Sequence, residues 1–278
     1  MQDRCSSNGR KNPSVARAML GVLLFICSCL NTLMKKILII QSRQRPEMLA
    51  AERAEYERAV NSLAHINFVT SLTTTLSWEN PEELLGGYDG VIFGGSGEFD
   101  FDGGRAHDDE ARMVSQEIKE RVKKLVLYIL KQDFPLLGIC YGHQIIAEVG
   151  GVPVVNDHSQ KKVGTFQVFL TDAGKMDTLF SQLPESFLAQ YGHKDSASRI
   201  PENAVLLADS PLCNVAAIRY GNNIYTMQFH PELTKDDVVW KLAHSPGYLP
   251  EGVSVDSIVR PSLEASMIIP KFIERVIG

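Results

Sequence analysis

The chain has 278 residues, of which 44% are hydrophobic and 22% are charged, an ordinary composition for a globular protein with a large core. Its formal net charge is -5, from 28 basic and 33 acidic residues, whereas a nucleic-acid-binding protein usually shows a basic excess or stripe, so we expect no nucleic acid as a partner. The 5 cysteines include no CxxC pair, which argues against a disulfide scaffold or a zinc knuckle and favours a reducing compartment.

The first 33 residues are predicted to be an N-terminal extension. Basic residues precede an apolar stretch from Met19 to Leu30, as in a signal peptide, but the stretch is too short to span a bilayer comfortably. We favour Met34 as the true start, because "MKKILIIQSR" is typical of the opening of a cytoplasmic α/β protein. Residues 1–33 would then be disordered, signal-like or wrongly assigned to the chain. We expect a cytoplasmic location without stable membrane association; export by this segment is the alternative.

The first half of the remaining chain alternates predicted strands and helices. Strands are predicted at 35–41, 66–72, 88–94 and 134–139, helices at 47–64, 108–132 and 142–149, and a short helix or turn at 81–87. In helix 108–132, apolar residues recur three or four positions apart and so mark one face. This alternation predicts a parallel sheet with helices on both faces.

The second half is predicted to be richer in strands, several of them antiparallel neighbours. These strands are expected at 163–170, 187–191, 204–208, 215–220 and 223–229. A Gly-Asn pair between the last two is typical of a hairpin. Residues 241–261 carry Pro and Gly and are predicted to be a loop insertion, and 262–276 a closing helix. No repeat or linker interrupts the sequence, so we predict one domain over residues 34–278.

Cys140 is the candidate nucleophile. It follows a predicted strand and directly precedes a predicted helix, at the edge of a parallel sheet where ligands bind. Gly138 and Gly142 flank it in G-x-C-x-G, the sulfur counterpart of the G-x-S-x-G nucleophile elbow. A helix N-terminus favours the thiolate form of a cysteine. The alternative is a buried core cysteine, which is the usual fate of a free thiol.

A nucleophilic cysteine needs a base, and the base needs a group that orients it. The segment "QFHPE" offers both, since His230 follows a predicted strand and Glu232 stands two residues later, beyond the turn at Pro231. A His and a Glu near a turn are common by themselves. Their position after the elbow in the same chain makes a Cys-His-Glu triad the favoured interpretation.

The segments "GICYGHQ", "QFHPE" and "FGGSGE" together resemble the class I glutamine amidotransferases. The resemblance runs from about Met34 to the C-terminus and is closest to the glutaminase domain of GMP synthetase and its stand-alone relatives. It implies a flavodoxin-like α/β fold, with a central mostly parallel sheet flanked by helices and antiparallel strands added in the second half. It also implies that Cys140 attacks the side-chain amide of glutamine to form a γ-glutamyl thioester, with His230 transferring the proton and Glu232 orienting His230.

Further site residues follow from the same resemblance. The backbone N–H groups of Gly95 and Tyr141 would form the oxyanion hole. The expected substrate-binding residues are Gly94, Gly95, Gln144, Lys194 and Asp195. The sequence departs from the family pattern at two places. Many relatives have proline after the two glycines of "GGSGE", and Gly192 precedes His193 where a Ser or Tyr is common.

L-glutamine is therefore the expected small-molecule substrate, with no cofactor and no metal. The sequence has neither a G-K-[ST] phosphate loop nor an SGGxDS-type loop, so ammonia would be released or passed to a separate synthetase or acceptor subunit. One alternative is a γ-glutamyl peptidase acting on γ-glutamyl peptides such as glutathione conjugates. A roomier leaving-group side, shaped by residues 96–107 or 241–261, would favour it. The other alternative is a non-catalytic regulatory subunit on the same fold. We expect structural roles for His143 and Cys213.

Overall fold

The computed structural model describes residues 34–249 and 252–278, and Lys35–Gly278 forms a compact unit. The expectations for residues 1–33 concern a segment outside the described residues. Within the two described ranges, no helix combines the length and the apolar character that a membrane span requires.

A nine-stranded sheet runs through the molecule. Its strands are β1 (Lys35–Gln41), β2 (Ala64–Thr70), β3 (Gly90–Phe93), β4 (Leu136–Ile139), β6 (Lys162–Leu170), β7 (Ser186–His193), β9 (Ala204–Ser210), β10 (Cys213–Tyr220) and β11 (Ile224–Met227), while β5 (Val154–Val155) pairs with β8 (Ser196–Ala197). The order is β2-β1-β3-β4-β11-β10-β9-β6-β7. The pairs from β2 to β11 are parallel, and those from β11 to β7 are antiparallel. The predicted α/β fold class, with antiparallel strands added in the second half, is confirmed.

Strand β1 shows why the sheet is covered on both faces. Residues 37–40 are all 0% exposed. Ile37 and Ile39 belong to one core cluster, and Leu38 and Ile40 belong to another. Successive side chains of a strand point to opposite faces, so a continuous apolar run needs a hydrophobic layer on each side.

The helices of the structure are α1 (Pro46–Val60), α2 (Pro81–Leu85), α3 (Glu110–Gln132), α4 (Tyr141–Val149), α5 (Asp172–Lys175), α6 (Lys235–His244), α7 (Val255–Ile258) and α8 (Ile268–Phe272). Helix α3 begins after Asp109, whose side chain accepts a hydrogen bond from the N–H of Ala111 at 2.9 Å. Its predicted apolar face is buried at Ile118, Val122 and Ile129.

The helix predicted at 47–64 is too long at its C-terminus. Asn61 and Ser62 adopt φ values of 46° and 63°, in the left-handed region that ends a helix. Helix α1 therefore ends at Val60 and strand β2 begins at Ala64, two positions before the predicted strand.

The predicted loop insertion at 241–261 is wrong in part. Helix α6 extends to His244, a 3-10 turn follows at Pro246–Tyr248, and α7 adds a further turn. A capping box between Thr234 and Asp237 starts α6. The predicted closing helix at 262–276 begins later, with a 3-10 turn at Ala265–Met267, and continues through α8 into a π-helical turn at Ile273–Ile277.

Candidate active site

Three neighbouring parallel strands end at the candidate site. Strands β3, β4 and β11 are adjacent in the sheet and run in the same direction. Gly94 and Gly95 follow β3, Cys140 follows β4, and the segment leading to His230 follows β11. The carboxyl ends of parallel strands meet at one edge of a sheet, which is how residues far apart in sequence become neighbours here.

Cys140 occupies a strained turn between β4 and α4. Its φ of 50° and ψ of -100° lie outside the regions that non-glycine residues favour. A Cβ added to Gly142 would stand 2.1 Å from the carbonyl oxygen of Phe93, so only glycine lets the elbow pack beneath β3. The Cys140 N–H donates to the Met227 carbonyl at 2.8 Å, which ties the elbow to β11. Cys140 is 2% exposed, so it is buried and also lies on the predicted elbow.

His230 and Glu232 form a buried pair beside the elbow. The Nδ1 atom of His230 lies 2.6 Å from Oε1 of Glu232, and the two residues are 6% and 3% exposed. The His230 N–H donates to the carbonyl of Gln190 on β7 at 2.9 Å, which holds the segment after β11 in place. Because Nδ1 is engaged by Glu232, Nε2 is the nitrogen available to Cys140.

The electrostatics of the pair favour a charged imidazole. Burial lowers the pKa of His230, but the Glu232 carboxylate and the Cys140 side chain together outweigh burial and raise that pKa to about 10. Burial raises the pKa of Glu232, but the positive charge on His230 outweighs it and holds the pKa below its ordinary value. At neutral pH, His230 is therefore an imidazolium next to an ionised Glu232.

Gly95 lies against both catalytic candidates. A Cβ at this position would stand 2.9 Å from Cε1 of His230 and 3.6 Å from Cβ of Cys140. Two backbone hydrogen bonds of the neighbouring Gly94 fix the loop that follows β3. The N–H of Gly94 donates to the carbonyl of Ile40 at 2.9 Å, and the carbonyl of Gly94 accepts from the N–H of Gly142 at 3.1 Å. Tyr141 is the first residue of α4, and the first N–H groups of a helix have no acceptor within that helix.

Gln228 is a neighbour of the thiol that the sequence reasoning did not assign. Its Nε2 donates to Sγ of Cys140 at 3.5 Å, and its Oε1 accepts from Nε2 of Gln144 at 3.3 Å. It is 0% exposed. The alternation in "TMQFH" could have revealed it. Thr226, Gln228 and His230 alternate with two apolar core residues, so in an extended chain the side chain of Gln228 points to the same side as that of His230.

Asp195 and Gln144 are engaged with the protein itself. Both carboxylate oxygens of Asp195 accept backbone N–H groups, Oδ2 from Asp102 at 2.8 Å and Oδ1 from Gly103 at 2.7 Å. Nε2 of Gln144 donates to the carbonyl of Asp195 at 2.7 Å. These contacts connect the helix of the elbow to the loop at 96–107.

Lys194 lies at the outer side of this loop. Its Nζ is 3.1 Å from Oδ2 of Asp100, which also accepts from Nε of Arg105 at 2.7 Å. The same ammonium group lies 4.8 Å from the ring centroid of Tyr248. Lys194 therefore connects the loop at 96–107 to the segment after α6.

The remaining candidates are placed as structural residues. His143 is 0% exposed, its Nδ1 lies 2.8 Å from Oγ1 of Thr226, and burial lowers its pKa to about 4. Cys213 is 1% exposed, and burial raises its pKa to about 12. His107 is exposed. Across the described ranges, no three His, Cys, Asp or Glu side chains gather as a metal ion would require.

Sequence comparisons show which known proteins this chain resembles. A family model described as glutamine amidotransferase class-I matches residues 59–237. A Methanosphaera stadtmanae protein, named as one subunit of a glutamine-hydrolyzing GMP synthase, is 30% identical over 178 residues, which cover 63% of this chain and 82% of that protein. The subunit of the same name from Methanocaldococcus jannaschii is 36% identical over 115 residues, 41% of this chain and 59% of that protein. The glutamine-hydrolyzing GMP synthase of Borreliella burgdorferi is 38% identical over 113 residues, 41% of this chain but only 22% of that protein.

Solved structures show the same fold. A glutamine amidotransferase from Thermotoga maritima superposes with a TM-score of 0.65 at 18% identity, covering 88% of this chain and 98% of the other. A Thermoplasma acidophilum protein, described as one subunit of a GMP synthase, gives a TM-score of 0.59 at 20% identity, with 87% and 93% of the two chains covered.

Proposed function

Because the chain belongs to the class-I glutamine amidotransferase family, we propose that it hydrolyses the side-chain amide of glutamine through a thioester on Cys140. The observation that carries this proposal is the buried arrangement in which Cys140 and His230 interact while Glu232 lies 2.6 Å from Nδ1 of His230. A nucleophile, its proton carrier and an orienting carboxylate are the parts that acyl transfer needs.

In the first half-reaction, the Cys140 thiolate attacks the amide carbon and forms the C–S bond. The oxyanion that develops is stabilised by the N–H groups of Gly95 and Tyr141. The imidazolium of His230 gives its proton to the amide nitrogen as the C–N bond breaks, so ammonia leaves and His230 becomes neutral.

In the second half-reaction, neutral His230 takes a proton from water as the water attacks the thioester. The same two N–H groups stabilise the second oxyanion. Glutamate is released, and His230 is again protonated beside the Cys140 thiolate. Glu232 stays ionised throughout and keeps the imidazole oriented by its bond to Nδ1.

For substrate binding, we propose direct contacts with Gly94, Gly95 and Gln144, and positioning roles for Lys194 and Asp195. The carboxylate of Asp195 is already occupied by two backbone N–H groups of the loop at 96–107, and Lys194 is paired with Asp100. Both residues would then act by holding this loop over the glutamine.

The test is ammonia release from glutamine by the full chain and by two alanine variants. Cys140→Ala is expected to lower kcat by about 10³-fold or more, because it removes the nucleophile. Cys213→Ala is the matched control, since Cys213 is another buried free thiol and is expected to retain the activity. Full activity in Cys140→Ala would refute the mechanism.

We further propose that the ammonia is used by a separate synthetase subunit. Two of the relatives are each named as one subunit of a GMP synthase, which implies at least one other subunit in those proteins. The full chain should then bind such a synthetase in a pull-down and supply it with ammonia from glutamine. Failure to bind, together with free release of ammonia, would favour an independent glutaminase.

A further inference from the structure

A pocket opens beside His230 that the hydrolysis of glutamine does not require. It lies between residues 43–48, the loop at Ser96 and Gly97, and helix α6 with the turn that follows it. His230 forms part of its wall. Since His230 donates the proton to the departing nitrogen, any group attached to that nitrogen projects toward the space that His230 borders. The pocket shares His230 with the reacting centre, so an amine that leaves past His230 would enter it.

The pocket is larger and more apolar than a site for ammonia would have to be. Its wall includes Leu233, Val238 and Leu242, which belong to a small hydrophobic cluster that also contains Val259. The ring of Tyr248 closes one side, and its hydroxyl lies 3.5 Å from the carbonyl oxygen of Gly97. An apolar wall stabilises an apolar ligand, whereas ammonia has no apolar surface to bury.

The charged groups of the pocket wall are all basic. Arg43, Arg45 and Lys241 line it, and no carboxylate side chain of the described residues does. Arg43 is 5% exposed and stays charged through Glu52, whose Oε1 lies 3.0 Å from its Nε. Lys241 is similarly paired, with Nζ 3.0 Å from Oε1 of Glu55.

These cations keep donors for a ligand. A guanidinium has five N–H donors and an ammonium three, so one carboxylate partner does not saturate either group. In the part of the chain that the structure describes, Nζ of Lys241 is buried and makes no hydrogen bond of good geometry. A carboxylate is the ligand group that such a pair of buried cations recognises best.

Building on the proposed glutaminase chemistry, we propose that this pocket binds the amine half of γ-glutamyl amides formed with apolar amino acids. The apolar side chain of the amino acid would contact the wall formed by Leu233, Val238 and Leu242. Its free carboxylate would bind Arg43 and Lys241.

The chemical steps are those of glutamine hydrolysis with a different amine. Cys140 attacks the γ-carbonyl, the C–N bond breaks, and the amino-acid nitrogen takes the proton of His230. Water then cleaves the thioester, so the products are glutamate and the free amino acid. With glutamine itself, the pocket receives ammonia.

The experiment compares three substrates with the full chain: glutamine, γ-glutamyl-leucine and γ-glutamyl-3-methylbutylamide. The last two differ only in the carboxylate of the leaving amine. We expect kcat/KM for γ-glutamyl-leucine to exceed that for the methylbutylamide by about tenfold or more, which corresponds to one or two charge-assisted hydrogen bonds. It should also be at least as large as kcat/KM for glutamine.

A matched pair of variants tests the location. Leu242→Trp fills the pocket, and it should lower the ratio of kcat/KM for γ-glutamyl-leucine to that for glutamine by about tenfold or more. Leu127→Trp makes the same change on the exposed face of α3, where Leu127 is 46% exposed, and it should leave the ratio unchanged.

Two results would overturn the inference while the proposed function stands. One is turnover of glutamine without turnover of γ-glutamyl-leucine, and the other is equal kcat/KM for the two larger amides. Absence of turnover for all three substrates, with no labelling of Cys140 by an electrophilic glutamine analogue, would instead refute the proposed function and the inference together.

Discussion

The side chains around the sulfur of Cys140 come from different parts of the chain. His230 supplies a positive charge that Glu232 maintains, and Gln228 donates its amide N–H to the sulfur at 3.5 Å. All of these residues are buried, so water contributes little at this site and each polar contact has a large effect.

We therefore predict that Gln228→Leu lowers kcat for glutamine by about tenfold or more, because a hydrogen bond to a charged atom contributes about 1.5–3 kcal/mol. KM should change less, since Gln228 contacts the sulfur rather than the ends of the substrate. The readouts are kcat and KM for glutamine.

The same substitution at Gln182, which is exposed on a 3-10 turn, provides a control for the loss of an amide side chain. An unchanged kcat in Gln228→Leu would contradict the role given to Gln228.

At the scale of elements, the site is built from strand ends, which explains why much of it was predictable. The apolar runs that became β3, β4 and β11 are short and bounded by glycine or turn residues, so their carboxyl ends could be located within a few residues. Parallel pairing then brings those ends together. The sequence placed Cys140 and His230 each after a predicted strand, whereas the position of Gly95 beside them was expected only from the family resemblance.

Other elements could not be predicted because their causes are not local. Helix α6 has only two buried positions, Val238 and Leu242, so its buried face is narrow, and a loop was predicted for its last residues, 241–244. The role of Asp195 depends on the backbone of Asp102 and Gly103 in a distant loop. Neither the fold of that loop nor its distance from Asp195 can be read from composition or spacing.

At the scale of the whole molecule, buried histidines make stability depend on pH. Burial lowers the pKa of His143 to about 4 and that of His193 to about 3. In the unfolded chain both side chains bind protons below about pH 6.5. The unfolded state therefore binds protons that the native state does not bind, and the free energy of unfolding falls as pH decreases from 6.5 toward 4.

His230 acts in the opposite direction. Its native pKa is raised to about 10, so its contribution is fully present below about pH 6.5 and is lost as pH rises toward 10. It does not offset the loss that the other two histidines cause in acid.

We predict that the free energy of unfolding, measured by urea denaturation, falls between pH 6.5 and 4 by about 1.4 kcal/mol per pH unit for each of the two buried histidines. His143→Gln should reduce the dependence of stability on pH in this range, whatever it does to stability at pH 7. An equally steep dependence in that variant would show that His143 takes up its proton as readily in the native state as in the unfolded chain.

The most direct test of the central claim is to label the full chain with an electrophilic glutamine analogue and map the modified residue by mass spectrometry. We expect one adduct per chain, on Cys140, with loss of activity in proportion to labelling and protection by glutamine. Cys213 should remain free. An adduct on Cys213, or full glutaminase activity after Cys140 has been modified, would contradict the assignment of Cys140 as the nucleophile.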